Sequence, residues 1–451
     1  MDENYLLNTS LSHRLFHECA KSLPIIDYHN HLERRELTRE KRYRNIAELW
    51  LLSDPYKHRA MRICGVEEAY ITGDAEDKEK FKAWMEVLPK LAGNPLYEWS
   101  ILEMKRVFEI NLEPGSTDSE WLWEQTGQKL SEPGYSAQQL LQTFNVEYAA
   151  PCASITDDIS AFKGIESLAP SLRGDTIVDV DTETIGQLER AVQTPVFSLE
   201  DYYQAIRNRL KDFDRVGCRF SDHALDDGFA YVLDDGHNAQ RFAAWRQGAS
   251  LSCDEKKSLS SEILRFLAGE YAKLGWTMQL HIGAQRFTSS RLRKLAGPAG
   301  GFAGIGNCCD VRSLTRMLDE FEQGRNGMPK ILLFTLNPAD NAVLSVLSGS
   351  YSQDGVAGKV QQGPAWWWCD HLFGIQEVLE AISSFGILST FVGMTTDSRS
   401  ILSFVRHEYF RRVLCGWLGE KAAKGEITAS YETLKKLVED VCYYNAKKRI
   451  A

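Results

Sequence analysis

Short apolar, β-branched runs recur along the chain, and most of them stop at a polar residue with chemistry to offer. The run 24–27 leads into Tyr28-His29-Asn30-His31, 146–153 into Ser154, and 176–180 follows Arg173. Further along, 217–221 leads into Asp222-His223, 277–280 into His281 and 330–336 into Asn337. The last two are 359–363, ahead of Trp366-Trp367-Trp368, and 389–396, ahead of Asp397. These runs predict eight strands. Helical spacing follows most of them, over 253–274, 310–323, 373–384 and 398–417. Alternation of short apolar strands with helices predicts a parallel sheet covered by helices. Eight such units predict an α/β fold of the (β/α)8 TIM-barrel type, with its chemistry at the C-terminal strand ends. An open doubly wound sheet is the alternative.

The interval between the first two strands is too long for one crossover. Its Trp, Leu, Lys and Glu residues at helical spacing predict a helical subdomain over 33–130, inserted after the first strand of a single barrel domain spanning 1–451. Residues 182–215 add further helices. The glycine-rich stretch 297–306 lacks the strand–loop–helix context of a phosphate loop and reads as a flexible loop.

Composition narrows the function. The 451 residues are 43% hydrophobic and 25% charged, which excludes a largely disordered chain. A net charge of −10 argues against nucleic acid as the main partner. The longest strongly apolar stretch is 331–336, far short of the roughly 18 residues a membrane helix needs, so no membrane partner is expected. The opening MDENYLLNTS has no basic and apolar signal pattern. Ten cysteines without a Cys-x-x-Cys pair read as reduced thiols in the cytoplasm and argue against a cysteine zinc site.

Candidate chemistry gathers at the strand ends. His29 and His31, two apart on a strand, face the same way and can grip one divalent metal. Asp27 on the same face could orient a ligand. In a closed barrel the first and eighth strands are neighbours, which brings Asp397 to the same metal and leaves coordination positions open. The plain alternative for the histidines is a polar turn, and for Asp397-Ser398-Arg399 a capped, salt-bridged helix start. Otherwise that spacing sets a carboxylate beside a guanidinium over the barrel mouth. Asp222, His223, His281 and Arg286 follow strands, with structural histidines as the alternative; Arg173 and Arg286 could bind a carboxylate with two hydrogen bonds. Trp366, Trp367 and Trp368 offer faces for a sugar, or packing for the barrel top.

Taken together, these motifs resemble the uronate isomerase (glucuronate isomerase) family of the amidohydrolase superfamily. The resemblance runs from ENYLLNTSLSHRLFHECAKSLPIIDYHNHL through SDPYKHRAM, GNPLYEW, GCRFSDHALD, QLHIGAQR, LNPADN and AWWWCD. Its strongest stretch is FVGMTTDSRSILSFVRHEYFRRVLC. It implies an aldose–ketose isomerase that interconverts D-glucuronate with D-fructuronate, and D-galacturonate with D-tagaturonate, through an enediol. It implies one divalent metal, usually zinc, on His29, His31 and Asp397, with Tyr56 near the aldehyde carbon and Arg399 near the C2 and C3 hydroxyls. Arg173, Asp222, His281, Arg286, Trp366 and Trp367 fall on active-site or motif positions. The expected partner is a small sugar acid, and the expected assembly a homo-oligomer. Pro55 replaces the histidine usual before Tyr56, 155–159 is a looser Thr-Thr-Asp-Asp-Pro run, and Leu172 stands where tryptophan is typical. A mononuclear metal-dependent hydrolase of the same superfamily is the alternative function.

Overall fold

Parallel strands buried on both faces favour apolar runs, and 331–334 supplies the clearest one. In the computed structural model, which describes residues 2–451, seven strands form one sheet of parallel neighbours. They are β1 (Ile25–Asn30), β2 (Val146–Ser154), β3 (Ser171–Arg173), β4 (Phe220–Leu225), β5 (Thr277–Ile282), β6 (Lys330–Thr335) and β7 (Val360–Gln362). They pair in chain order, β1 with β2 through β6 with β7. All six residues of β1 and of β5 are buried.

The place of an eighth strand is taken by residues 391–398, which form no ladder strand. The run 389–396, expected as a strand, instead begins with a single 3-10 turn, Leu388–Thr390. It is tied to β1 by two backbone bonds, Asp397 N–H to the His29 carbonyl (3.1 Å) and His31 N–H to the Ser398 carbonyl (2.8 Å). On the other side the Gln361 side chain of β7 bridges to it, donating to the Thr390 carbonyl (3.3 Å) and accepting from Val392 N–H (2.9 Å). The deeper reason is Asp27. Its buried carboxylate accepts from Thr395 Oγ1, Thr396 N, Thr396 Oγ1, Asn30 Nδ2 and the His407 ring at 2.7–3.1 Å. Side chains around one buried charge thus do the joining that a backbone ladder does elsewhere in the sheet.

A second correction concerns 176–180. The strand lies upstream at Ser171–Arg173, and Asp175–Val178 is a helical turn. Pairing fixes this: Leu172 and Arg173 stand opposite Ser221 and Asp222. Gly174 then turns under the His223 ring, where any Cβ would overlap the imidazole. The fourth strand likewise lies later than 217–221, because it runs alongside β5 from Phe220 to Leu225.

Helices follow the strands. Between β1 and β2 the chain is helical in large part, including α1 (Pro55–Ile63) and α2 (Pro95–Phe108). Further on come α3 (Cys253–Leu274) and α4 (Val405–Ala423). α1 starts where the local chemistry dictates. Asp54 caps it, accepting from Tyr56 N (2.9 Å) and Lys57 N (3.3 Å), and Pro55 sits in the first turn, where a missing N–H costs nothing. That accounts locally for the proline before Tyr56. α4 is buried almost all round and anchors the barrel floor: Arg411 donates to the Leu23 and Pro24 carbonyls ahead of β1, each at 2.8 Å. The glycine-rich stretch 297–306, expected to be a free loop, is clamped onto α1. Arg62 donates to the Gly300 carbonyl, and Gly301, at φ +78°, lies so close to the Pro55 carbonyl that a side chain there would overlap it.

Candidate active site

Strand ends and the helices after β1 enclose a cavity of about 800 Å³. Of the side chains singled out from the sequence, all but Asp27 and Trp368 line it: His29, His31, Tyr56, Arg173, Asp222, His223, His281, Arg286, Trp366, Trp367, Asp397 and Arg399.

Asp397 is the hub. His29 Nε2 and His31 Nε2 each lie 3.1 Å from its Oδ1. Trp366 Nε1 donates to its Oδ2 at 3.0 Å. Asp397 adopts φ +50°, a left-handed conformation that a short polar side chain tolerates better than most. Burial would push its carboxyl up, but the bonds from His29 and His31 win and hold it well below the usual carboxylate range. Burial would likewise depress His29, yet Cys152 and Asp397 outweigh it and raise the imidazole well above its usual value. His31 behaves oppositely: burial lowers it to about 4.

The far side of His29 is also furnished. Its Nδ1 faces Cys152 Sγ (3.6 Å) and Asp222 Oδ1 (3.9 Å), and Cys152 Sγ bonds Asp222 Oδ1 at 3.4 Å. Burial raises Asp222 and pushes the Cys152 thiol up to about 11. His281 lies between His29 and Trp366, its ring centroid 4.7 Å from each and its plane tilted to both. It is buried, and its Nε2 has no hydrogen-bond partner among the described residues. Burial, aided by His29, keeps it neutral. Two donor sets besides His29, His31 and Asp397 converge here: His29 with His31 and Cys152, and His29 with Asp222 and His281.

The opposite wall carries Tyr56 on α1. Its ring meets Trp368 (5.4 Å) and Trp99 (6.3 Å) edge-on. The hydroxyl is buried without a well-aligned hydrogen bond. Arg399 presents a half-buried guanidinium with no bonding partner among the described residues; it does not pair with Asp397 despite the i, i+2 spacing. Arg173 is held by Asp175 (3.1 Å), and Arg286 by both oxygens of Asp226 (2.9 Å each) and over Trp367.

Several side chains take other places than the sequence suggested. Asp27 orients neither His29 nor His31; it braces the segment that bears Asp397. His223 turns away from the chemistry, its Nε2 3.2 Å from the Tyr271 hydroxyl. Trp366 serves Asp397 with its N–H as well as lining the cavity. Trp368 packs on Tyr56 and donates to the Ala303 carbonyl at 2.9 Å. Cys152, Asp175 and Asp226 escaped the sequence reading. The polar ends of β2 and β4 were the available signal, but their partners lie on other strands.

Comparison with known proteins agrees along the whole chain. A family model described as glucuronate isomerase matches residues 1–449. A curated uronate isomerase of Geobacillus thermodenitrificans is 39% identical, over 99% of this chain and 98% of that one. Another, of Bacillus licheniformis, is 37% identical over 99% and 96%. The crystal structure of the uronate isomerase of Thermotoga maritima superposes with a TM-score of 0.92 at 31% identity, covering 100% of this chain and 99% of that one.

Proposed function

The chain belongs to the glucuronate isomerase family, and from that premise we propose how its own residues carry out the aldose–ketose isomerisation of a uronate. The substrates are D-glucuronate and D-galacturonate, and the products D-fructuronate and D-tagaturonate. The observation that carries the reading is the convergence of His29 Nε2 and His31 Nε2 on Asp397 Oδ1, each at 3.1 Å, in one cavity with Tyr56 and Arg399.

These three donors fit a divalent ion, which we take to be zinc. Donors about 2.0–2.1 Å from a tetrahedral centre stand about 3.3 Å apart, close to the 3.1 Å that separates Asp397 Oδ1 from each histidine nitrogen. The Cys152 and Asp222 side chains hold protons more firmly than usual, which makes them poorer ligands and better partners for His29 Nδ1. The bound ion supplies charge that receives and orients the acid end of the sugar. Arg173 and Arg286, steadied by their carboxylates, line the substrate space with Asp222, His281, Trp366 and Trp367.

The chain's own groups move the protons. Asp397, kept ionised, accepts the proton from C2. The C2–H electron pair forms the C1–C2 double bond, and the former carbonyl oxygen at C1 takes the Tyr56 proton. Arg399 donates to the C2 oxygen as charge develops. The resulting enediol then returns its O2 proton to Tyr56, and Asp397 delivers its proton to C1. One proton has moved from C2 to C1 and one from O2 to O1. All ten cysteines are free, which suits work in the reducing cytoplasm.

The test is incubation with D-glucuronate, read by NMR and mass spectrometry. Isomerisation leaves the mass unchanged and yields the ketose, with C2 deuterium partly carried to C1. Addition of water to an amide or lactone, with no turnover of either uronate, would replace this reading with hydrolysis.

A further inference from the structure

The wall behind Tyr56 contains a buried ion pair for which the reaction as written has no use. Arg406, on the first turn of α4, is 2% exposed, and Asp370, just after the three tryptophans, is 4% exposed. Arg406 Nε donates to Asp370 Oδ2 at 2.9 Å, and a second guanidinium nitrogen donates to the same oxygen. The guanidinium lies over two aromatic rings, 5.1 Å from the Tyr56 centroid and 4.6 Å from that of Trp99.

A buried pair of this kind is costly to desolvate and seldom stabilises a fold more than apolar side chains would. Its placement is what distinguishes it. Tyr56 must give up a proton in a pocket where burial opposes a tyrosinate. A cation against the ring eases that charge. Arg406's pull on the Tyr56 hydroxyl is larger than the push of either Asp397 or Asp370 taken singly. Asp370 fixes where the guanidinium sits, and Trp99 and Trp368 hold the phenol edge-on beneath it.

We propose that Arg406, held by Asp370, is a positioning residue for the isomerisation, acting through Tyr56 to ease loss of its proton. This rests on the role given to Tyr56 above.

A double-mutant cycle on the metal-loaded enzyme tests it. Arg406→Met should lower kcat for D-glucuronate by about 10–100-fold while KM and metal content stay within twofold. Arg406→Lys should restore part of the loss. The decisive variant is Arg406→Met/Tyr56→Phe, which should be no slower than Tyr56→Phe alone. Multiplying losses would show that Arg406 acts independently of Tyr56 and overturn the proposal, as would an unchanged kcat in Arg406→Met. If Tyr56→Phe itself keeps full kcat, the reading of Tyr56 falls and this one with it. A loss in Arg406→Met confined to Tyr56-intact enzyme is the supporting result. Should Arg406→Met fail to fold, Arg406→Lys and Asp370→Asn enter the same cycle, each judged by whether its loss vanishes on the Tyr56→Phe background.

Discussion

The two walls of the cavity are built on different physics. The Asp397 wall is made of directional bonds. Asp397 binds both histidines and an indole N–H, and the segment bearing it is pinned through Thr395 and Thr396 to buried Asp27. The Tyr56 wall is made of ring contacts, a buried ion pair and a clamped glycine-rich loop, which fix the phenol but leave its hydroxyl unspent. A base that must stay ionised needs its lone pairs occupied and oriented. A donor that must release its proton to a substrate is better held by everything except its hydroxyl.

Removing the hub should give the largest effect. Asp397→Asn should lower kcat on the order of 10⁴-fold and abolish metal retention, because one change removes both the base and a ligand. Elemental analysis beside turnover would read both; full metal content would break the assignment of this wall. Tyr56→Phe should cost on the order of 10²-fold in kcat. Because the ring contacts survive, melting temperature should stay unchanged, and a shift there would mean that the hydroxyl is structural. Trp366→Phe removes the N–H on Asp397 Oδ2, a bond to a charged group worth about 1.5–3 kcal/mol. It should lower kcat by roughly tenfold with the metal retained.

The smallest effect expected is a shared acid sensitivity. His58 on α1 and His223 on β4 are both buried, and burial lowers each to about 4. Once unfolded, each regains its ordinary value near 6.5. Between about 6.5 and 4 the unfolded chain therefore takes up protons that the folded one refuses, so stability falls as pH falls through that window. Chemical denaturation at pH 7 and pH 5 should show it, with His223→Phe and His58→Phe each flattening part of the slope. A variant with an unaltered slope would remove that histidine from the account.

Much of the barrel was legible because buried parallel strands favour apolar runs, and 331–334 is one. The eighth position was misread as a strand because Thr395 and Thr396 look like strand residues; their side chains turn to Asp27 instead of leaving the backbone to ladder. β3 is three residues long, too short for periodicity to show. The metal-facing trio could be assembled from barrel adjacency alone. The bond from Trp366 to Asp397, and the meeting of Asp370 with Arg406, depend on how loops cross the barrel mouth, and no local spacing encodes that.

The distance along the chain between the converging donors has a consequence in time. His29 and Asp397 are 368 residues apart in sequence. During synthesis the two histidines emerge early and Asp397 near the end, after all seven ladder strands. The loop closed by their meeting spans most of the polypeptide, and such contacts form late because their entropy cost comes before their reward. A nascent chain therefore carries two of the three proposed ligands for most of its synthesis and gains the third only as the last strand position is filled. Capture of an ion by the proposed site would report a finished barrel.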